Sequence, residues 1–222
     1  MADKILVFYG SYRADRMGIR LADYVVAGLA ARGHQVTVVH DEDSYLILGG
    51  KPQAEGAPDG VRRIGLRAGN GFLSNLLTQQ AGRPTIHARR IRRLIEGMQP
   101  DILWYNNTSL VGGPGLLAYG AGLKVYEAHE HWLVCPTHVL WRHGRELCEE
   151  RQCLRCVLNH RRPPQLWRYT GLMDRMLDRA DLIIAKSEFS RARHAAFGLR
   201  QKMEVLPYFL PDLDAGAVAP YA

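Results

Sequence analysis

Residues 125–156 read V-Y-E-A-H-E-H-W-L-V-C-P-T-H-V-L-W-R-H-G-R-E-L-C-E-E-R-Q-C-L-R-C, and they gather most of the chemistry the chain could perform. His129 and Glu130 follow directly on a short apolar run, where an imidazole can hydrogen-bond a substrate hydroxyl or move a proton near neutral pH. All four cysteines of the chain, Cys135, Cys148, Cys153 and Cys156, fall in the same stretch with the spacing C-x12-C-x4-C-x2-C. A terminal C-x2-C aims two thiolates at one ion, and two more distant thiolates complete a tetrahedron, so a structural zinc is one expectation. His131, His138 and His143 are possible substitutes for one sulfur. Reduced thiols without metal, or a bond made only on oxidation, are the plainer alternatives.

Two glycine-containing turns are further candidates. Gly10-Ser11-Tyr12-Arg13 follows an apolar run and precedes a helical pattern, a strand-to-helix turn able to hold a phosphate. Asn107 and its neighbours lead into Gly112-Gly113-Pro114-Gly115, where glycines allow either close approach to a ligand or tight packing of loop on sheet. The run carries no Walker lysine and does not fit G-x-G-x-x-G.

The elements that must position these residues alternate. Strand-like runs are expected at 4–9, 35–40, 61–66, 101–105, 124–128, 182–185 and 203–206. Helical spacing falls at 18–32, 85–98, 166–179 and 188–197. This predicts an α/β fold, a Rossmann-like parallel sheet with helices on both faces. Residues 44–71 read as loops around a short strand. His129 then sits past a strand at the carboxyl edge, where α/β sheets bind ligands.

Three strings in this order resemble the N-terminal half of family 4 glycosyltransferases of the GT-B type. They are G-H-Q-V-T-V-V from Gly33, A-H-E-H-W from Ala128, and A-D-L-I-I-A-K-S-E-F-S from Ala180. The resemblance implies one half of a GT-B fold, with an acceptor-binding domain over residues 1–210, a Cys-rich loop at about 129–165 and a linker-like tail at 211–222. It implies transfer from a nucleotide-sugar with retention, usually without a catalytic metal, to a glycan or lipid-linked acceptor. His129 and Glu130 would serve catalysis; Gly10, Ser11, Arg13, Asn107, Gly112, Gly113 and Ser187 would line the substrate. The donor half is expected from a partner domain, without which the chain would be weakly active or inactive. The start differs: V-F-Y-G-S-Y-R-A-D-R-M-G from Val7 resembles flavodoxin-like NAD(P)H-dependent FMN reductases, which implies an alternative FMN-binding oxidoreductase with Ser11, Arg13 and Arg16 on the flavin phosphate.

Bulk properties narrow the classes. The 222 residues, 47% hydrophobic and 23% charged, are ordinary for a globular protein, and no run is long enough to span a membrane. The net charge of +7 suits phosphorylated ligands or an anionic membrane surface. No nucleic-acid-binding fingerprint accompanies it, so no specific nucleic-acid partner is expected. Arg89-Arg90-Ile91-Arg92-Arg93 reads as the wet face of an amphipathic helix. Without a signal-peptide pattern at the start, the expected compartment is the cytoplasm, with peripheral attachment to the inner membrane face as an option.

Overall fold

The computed structural model describes residues 2–10, 17–43 and 57–208, with side chains 17–21 left aside. Seven strands form one parallel sheet: β1 (Lys4–Tyr9), β2 (Gln35–Asp41), β3 (Val61–Leu66), β4 (Ile102–Asn106), β5 (Leu123–Ala128), β8 (Leu182–Ala185) and β9 (Glu204–Val205). Their order is β3-β2-β1-β4-β5-β8-β9. The helices are α1 (Met17–Ala31), α2 (Gly71–Ala81), α3 (Ala88–Met98), α4 (Cys153–Asn159), α5 (Leu172–Leu177) and α6 (Glu188–Ala196). A hairpin of β6 (Trp141–Arg142) and β7 (Glu146–Leu147) stands apart as the one antiparallel pair described.

The α/β Rossmann-like reading holds, and the side chains show why. Strand residues alternate between faces, and here both faces are dry, so β1 reads as an unbroken apolar run. Leu6 and Phe8 join a core with Leu103, Tyr105, Tyr126 and Ile183, packed under Ile91 and Ile95 of α3 and Met173 and Leu177 of α5. Ile5 and Val7 face a smaller core with Val36, Val38 and Val26 of α1. On α3, Ile91 and Ile95 are buried while Arg89, Arg90, Arg92 and Arg93 are exposed, as the sequence predicts. Among the described residues no helix is long and apolar enough to cross a membrane.

Strand order bears on the flavin alternative. A flavodoxin-like sheet runs 2-1-3-4-5, with the first strand between the second and third. In this sheet β1 lies between β2 and β4, the doubly wound order whose direction reverses there. In sheets of this order, ligands bind at that reversal, here the carboxyl ends of β1 and β4.

Two local expectations need correction. Helix α2 lies in a segment for which no helix was expected: its buried residues are Ser74 and Thr78, whereas Phe72, Leu73 and Leu77 are exposed, so its hydrophobic pattern is inverted. The helix expected over 166–179 is broken into a 3-10 turn at Leu166–Tyr169 and α5, because Gly171 takes φ 69° between them. Trp167 anchors that turn by donating from its indole nitrogen to the Gln79 carbonyl, 2.8 Å away.

The Gly112–Gly113 run sits on the segment after α2. A Cβ on Gly112 would lie 2.7 Å from Pro84 Cγ, and one on Gly113 would lie 2.6 Å from the Gly82 carbonyl carbon. Gly113 also has φ 61° and ψ −166°, a region essentially reserved for glycine. These contacts give both glycines a packing role between loop and helix. Gly113→Ala is expected to lower the unfolding free energy by about 1–3 kcal/mol, from the backbone strain alone. Urea denaturation checks it, and an unchanged midpoint would contradict it.

Candidate active site

The candidate side chains meet at the carboxyl edge of the sheet, where β4, β5 and β8 end together. Asn106 closes β4 in register with Glu127 of β5, and Ala128 pairs with Ala185 of β8, so His129 and Lys186 leave the sheet side by side. Glu127 is buried, with 6% of its surface exposed, facing away from the core that holds Tyr126 and Ala128. Its carboxylate accepts from Trp104 Nε1 at 2.9 Å and forms an ion pair with Lys186. Burial lowers the Lys186 pKa.

His129 stands at the mouth of this arrangement. Its Nε2 lies 2.7 Å from Asn106 Oδ1 and 3.7 Å from Glu127 Oε2, while Nδ1 lies 2.8 Å from the Tyr208 hydroxyl. Two oxygens around Nε2 assign the proton to that nitrogen. Nδ1 then accepts from Tyr208. Burial lowers the His129 pKa, and the nearby Glu130 carboxylate only partly offsets it. The ring is therefore neutral at neutral pH. Asn106 Nδ2 beside it is buried with no hydrogen-bond partner, an uncommon condition for an amide.

Glu130 faces the other way. One oxygen accepts from Asn107 Nδ2 at 2.5 Å, and the other is bound by His138. Asn107, at φ 49°, also accepts from the Ser109 amide at 2.9 Å through its own Oδ1. Glu130 thus ties the loops after β4 and β5 together, and His138 is committed to it. His143 lies instead beside the cysteines, donating its backbone N–H to Cys156 Sγ at 3.3 Å.

The remaining expected residues divide. Gly10 lies where β1 meets β4: a Cβ there would come within 2.7 Å of the Asn107 carbonyl oxygen, so a bare backbone is required at the strand end. Ser11, Arg13 and Arg16 lie outside the described residues. Ser187 caps α6, its hydroxyl accepting from the Ser190 amide at 3.1 Å, which places it next to Lys186 with its oxygen engaged. Gly112 and Gly113 are turned toward Gly82 and Pro84. The four cysteines are free thiols around the β6–β7 hairpin and α4, past the His129 edge.

Sequence reasoning passed over Asn106, Glu127, Lys186 and Tyr208. A charged residue inside V-Y-E-A was the available signal for Glu127, and Lys186 stands in the third string. It also missed a buried cluster at the end of β2, where ligand atoms of Asp41, Asp43 and His87 lie within 4.8 Å of one another. Both Asp43 oxygens have protein partners, His87 Nε2 and the Ala68 amide, each at 2.8 Å. We read that cluster as a clamp between β2 and α3. A cavity of about 770 Å³ bounded by Arg92, Tyr119 and Met176 opens at the opposite, amino-terminal edge of β5, away from His129.

The sequence model of the glycosyl transferase 4-like domain matches residues 20–208. That is most of the chain, which therefore belongs to this family. The match begins beyond the Gly10–Arg13 turn. A comparison with curated proteins returned no match.

His40, His129, His131 and His194 all have pKa values lowered chiefly by burial, that of His40 to about 4. Each takes up a proton more readily when unfolded than when folded. Their contribution to stability is complete above the ordinary histidine value of about 6.5 and is lost as pH falls through the folded values. Denaturant unfolding should therefore show stability falling from about pH 7 to about pH 5, above the carboxylate range. A flat profile over that window would contradict the burial of these rings.

Proposed function

We propose that the chain is the acceptor-side half of a retaining GT-B glycosyltransferase, using a nucleotide-activated sugar and a glycan or lipid-linked acceptor. The observation that carries this reading is the neutral His129, fixed by Asn106 and backed by the Glu127–Lys186 pair, at the carboxyl edge of a sheet in a family whose members are glycosyltransferase-like. A neutral imidazole with its Nδ1 lone pair turned outward can accept from a sugar hydroxyl. Its present partner, Tyr208, is an exposed residue beyond β9. A substrate hydroxyl can replace the tyrosine one for one, with no net loss of hydrogen bonds.

In the transfer step, the acceptor oxygen bonds to the anomeric carbon on the face the nucleotide leaves. The bond from that carbon to the phosphate oxygen breaks, and the hydroxyl proton passes to the departing phosphate. The charge that develops on the leaving group is the quantity to be stabilised, by cations and backbone amides aimed at it. Lys186 is a candidate contributor from this half, and the nucleotide-binding half would supply the rest. Glu130 has the part of a positioning residue: both oxygens are spent on Asn107 and His138, so it holds the arm rather than touching the sugar.

Nucleoside diphosphate release, assayed in the protein carrying both halves against a panel of sugar nucleotides and acceptors, tests the proposal. His129→Ala should lower kcat/KM by about 10²–10⁴-fold, the range for losing a positioned hydrogen-bonding or proton-transfer group. Glu130→Gln should be milder, because the amide still accepts from Asn107. Undiminished transfer by the His129 variant would overturn the assignment of the reacting centre.

A further inference from the structure

The four cysteines lie outside the strand-end site. We propose that Cys135, Cys148, Cys153 and Cys156 bind one zinc ion as a structural tetrathiolate that fixes the loop carrying the His129 arm. The inference is independent of the transferase reading.

Three strands of observation converge. Cys135 lies on the turn that follows the His129 arm, its amide donating to the His131 carbonyl at 2.7 Å. Cys148 comes directly after β7, and Cys153 and Cys156 stand three apart on α4, on one face of the helix. Folding thus gathers these residues from three separate places: Cys148 donates its amide to the Leu140 carbonyl at 2.8 Å, and Cys156 Sγ lies 3.9 Å from the Trp141 carbonyl oxygen and 3.3 Å from the His143 amide. None is in a disulfide.

The second observation is an unbalanced cation. The Arg168 guanidinium lies between the Trp132 and Trp167 rings, 5.2 and 4.8 Å from their centroids. Its hydrogen bonds go to neutral acceptors, Gln165 Oε1 and the carbonyls of Leu133 and Trp132, and among the described residues it makes no ion pair. It lines one cleft together with Cys153 and reaches the carbonyl of Leu133, two residues before Cys135. A sequestered guanidinium calls for an anion. On binding zinc, four thiols release four protons to solvent, and the resulting centre carries a net charge of −2. That charge would balance Arg168, with Arg193, which donates to the Cys148 carbonyl at 2.6 Å, close by.

The third is how little else supports the segment, where Leu140, Cys156 and Val157 are the buried residues. The segment has two two-residue strands and a seven-residue helix, with Val139, Trp141, Leu147, Leu154 and Leu158 exposed. A lone hairpin of that size is not stable by itself. Zinc–sulfur bonds of about 2.3 Å imply sulfurs about 3.8 Å apart. No three of these Sγ atoms are mutually within 4.8 Å in the metal-free chain, so the proposal requires the hairpin and α4 to close on the ion as it binds.

The full chain, purified from zinc-supplemented medium without chelator, should carry one zinc per chain by elemental analysis. Thiol modification should release it stoichiometrically. Cys153→Ser and Cys156→Ser should each lower the zinc content at least tenfold. To separate metal loss from misfolding of those variants, cobalt loading of the unaltered chain gives a second readout: the visible spectrum of tetrahedral Co(II) thiolate. Metal-free protein with four freely reactive thiols, bound iron, or disulfides in the native chain would each overturn the proposal.

Discussion

Glu127 is the constraint to which the site answers. A carboxylate in the second-last position of a central parallel strand, buried beside the Asn106 amide, must be paired or it will not stay ionised. Trp104 of β4 and Lys186, just past the end of β8, supply the partners from either side of β5. This links the ends of β4, β5 and β8 into one rigid edge. His129 inherits its placement from that edge: its ring is held between Asn106 and Tyr208 and is kept neutral by its surroundings. Removing one member of a buried pair leaves the other uncompensated, which costs about 3–5 kcal/mol, so the edge is maintained by a penalty as much as by an attraction.

The loop after β5 extends the same logic outward. Glu130 joins it to Asn107, His138 returns to Glu130, and the Cys135 turn follows. Arg168 caps this loop from the opposite side through the Trp132 and Leu133 carbonyls. Each contact is polar and directional, suited to aiming a side chain rather than to bulk stability. The stability lies in the two sheet faces, where Phe8 stacks on Tyr105 with centroids 5.4 Å apart and valines fill the other side.

Much of this was legible in the sequence because burial on both faces leaves a plain signal. The runs at β1, β2, β4, β5 and β8 are apolar and short, and the amphipathic α3 follows its arginines. Periodicity failed at α2, where small polar residues face inward and apolar ones outward. It failed at Gly171, which breaks an otherwise helical pattern. His129 and Glu130 could be singled out by their strand-end position, but their opposite orientations could not. Asn106 and Lys186 were hidden for a related reason. Their importance comes from strand register, which brings together residues far apart in sequence. The flavin-like turn shows the converse error: a short local string suggested one fold, whereas strand order across the whole sheet gives another.

The most direct test of the account is the His129 ring itself. On the proposed function, histidine-labelled protein observed by NMR with and without a sugar donor and acceptor should show the His129 resonances shift on binding as the Tyr208 hydroxyl gives way. The ring should titrate below the ordinary histidine range in the free protein. Saturating substrates that leave those resonances unmoved while transfer proceeds would place the reacting centre elsewhere.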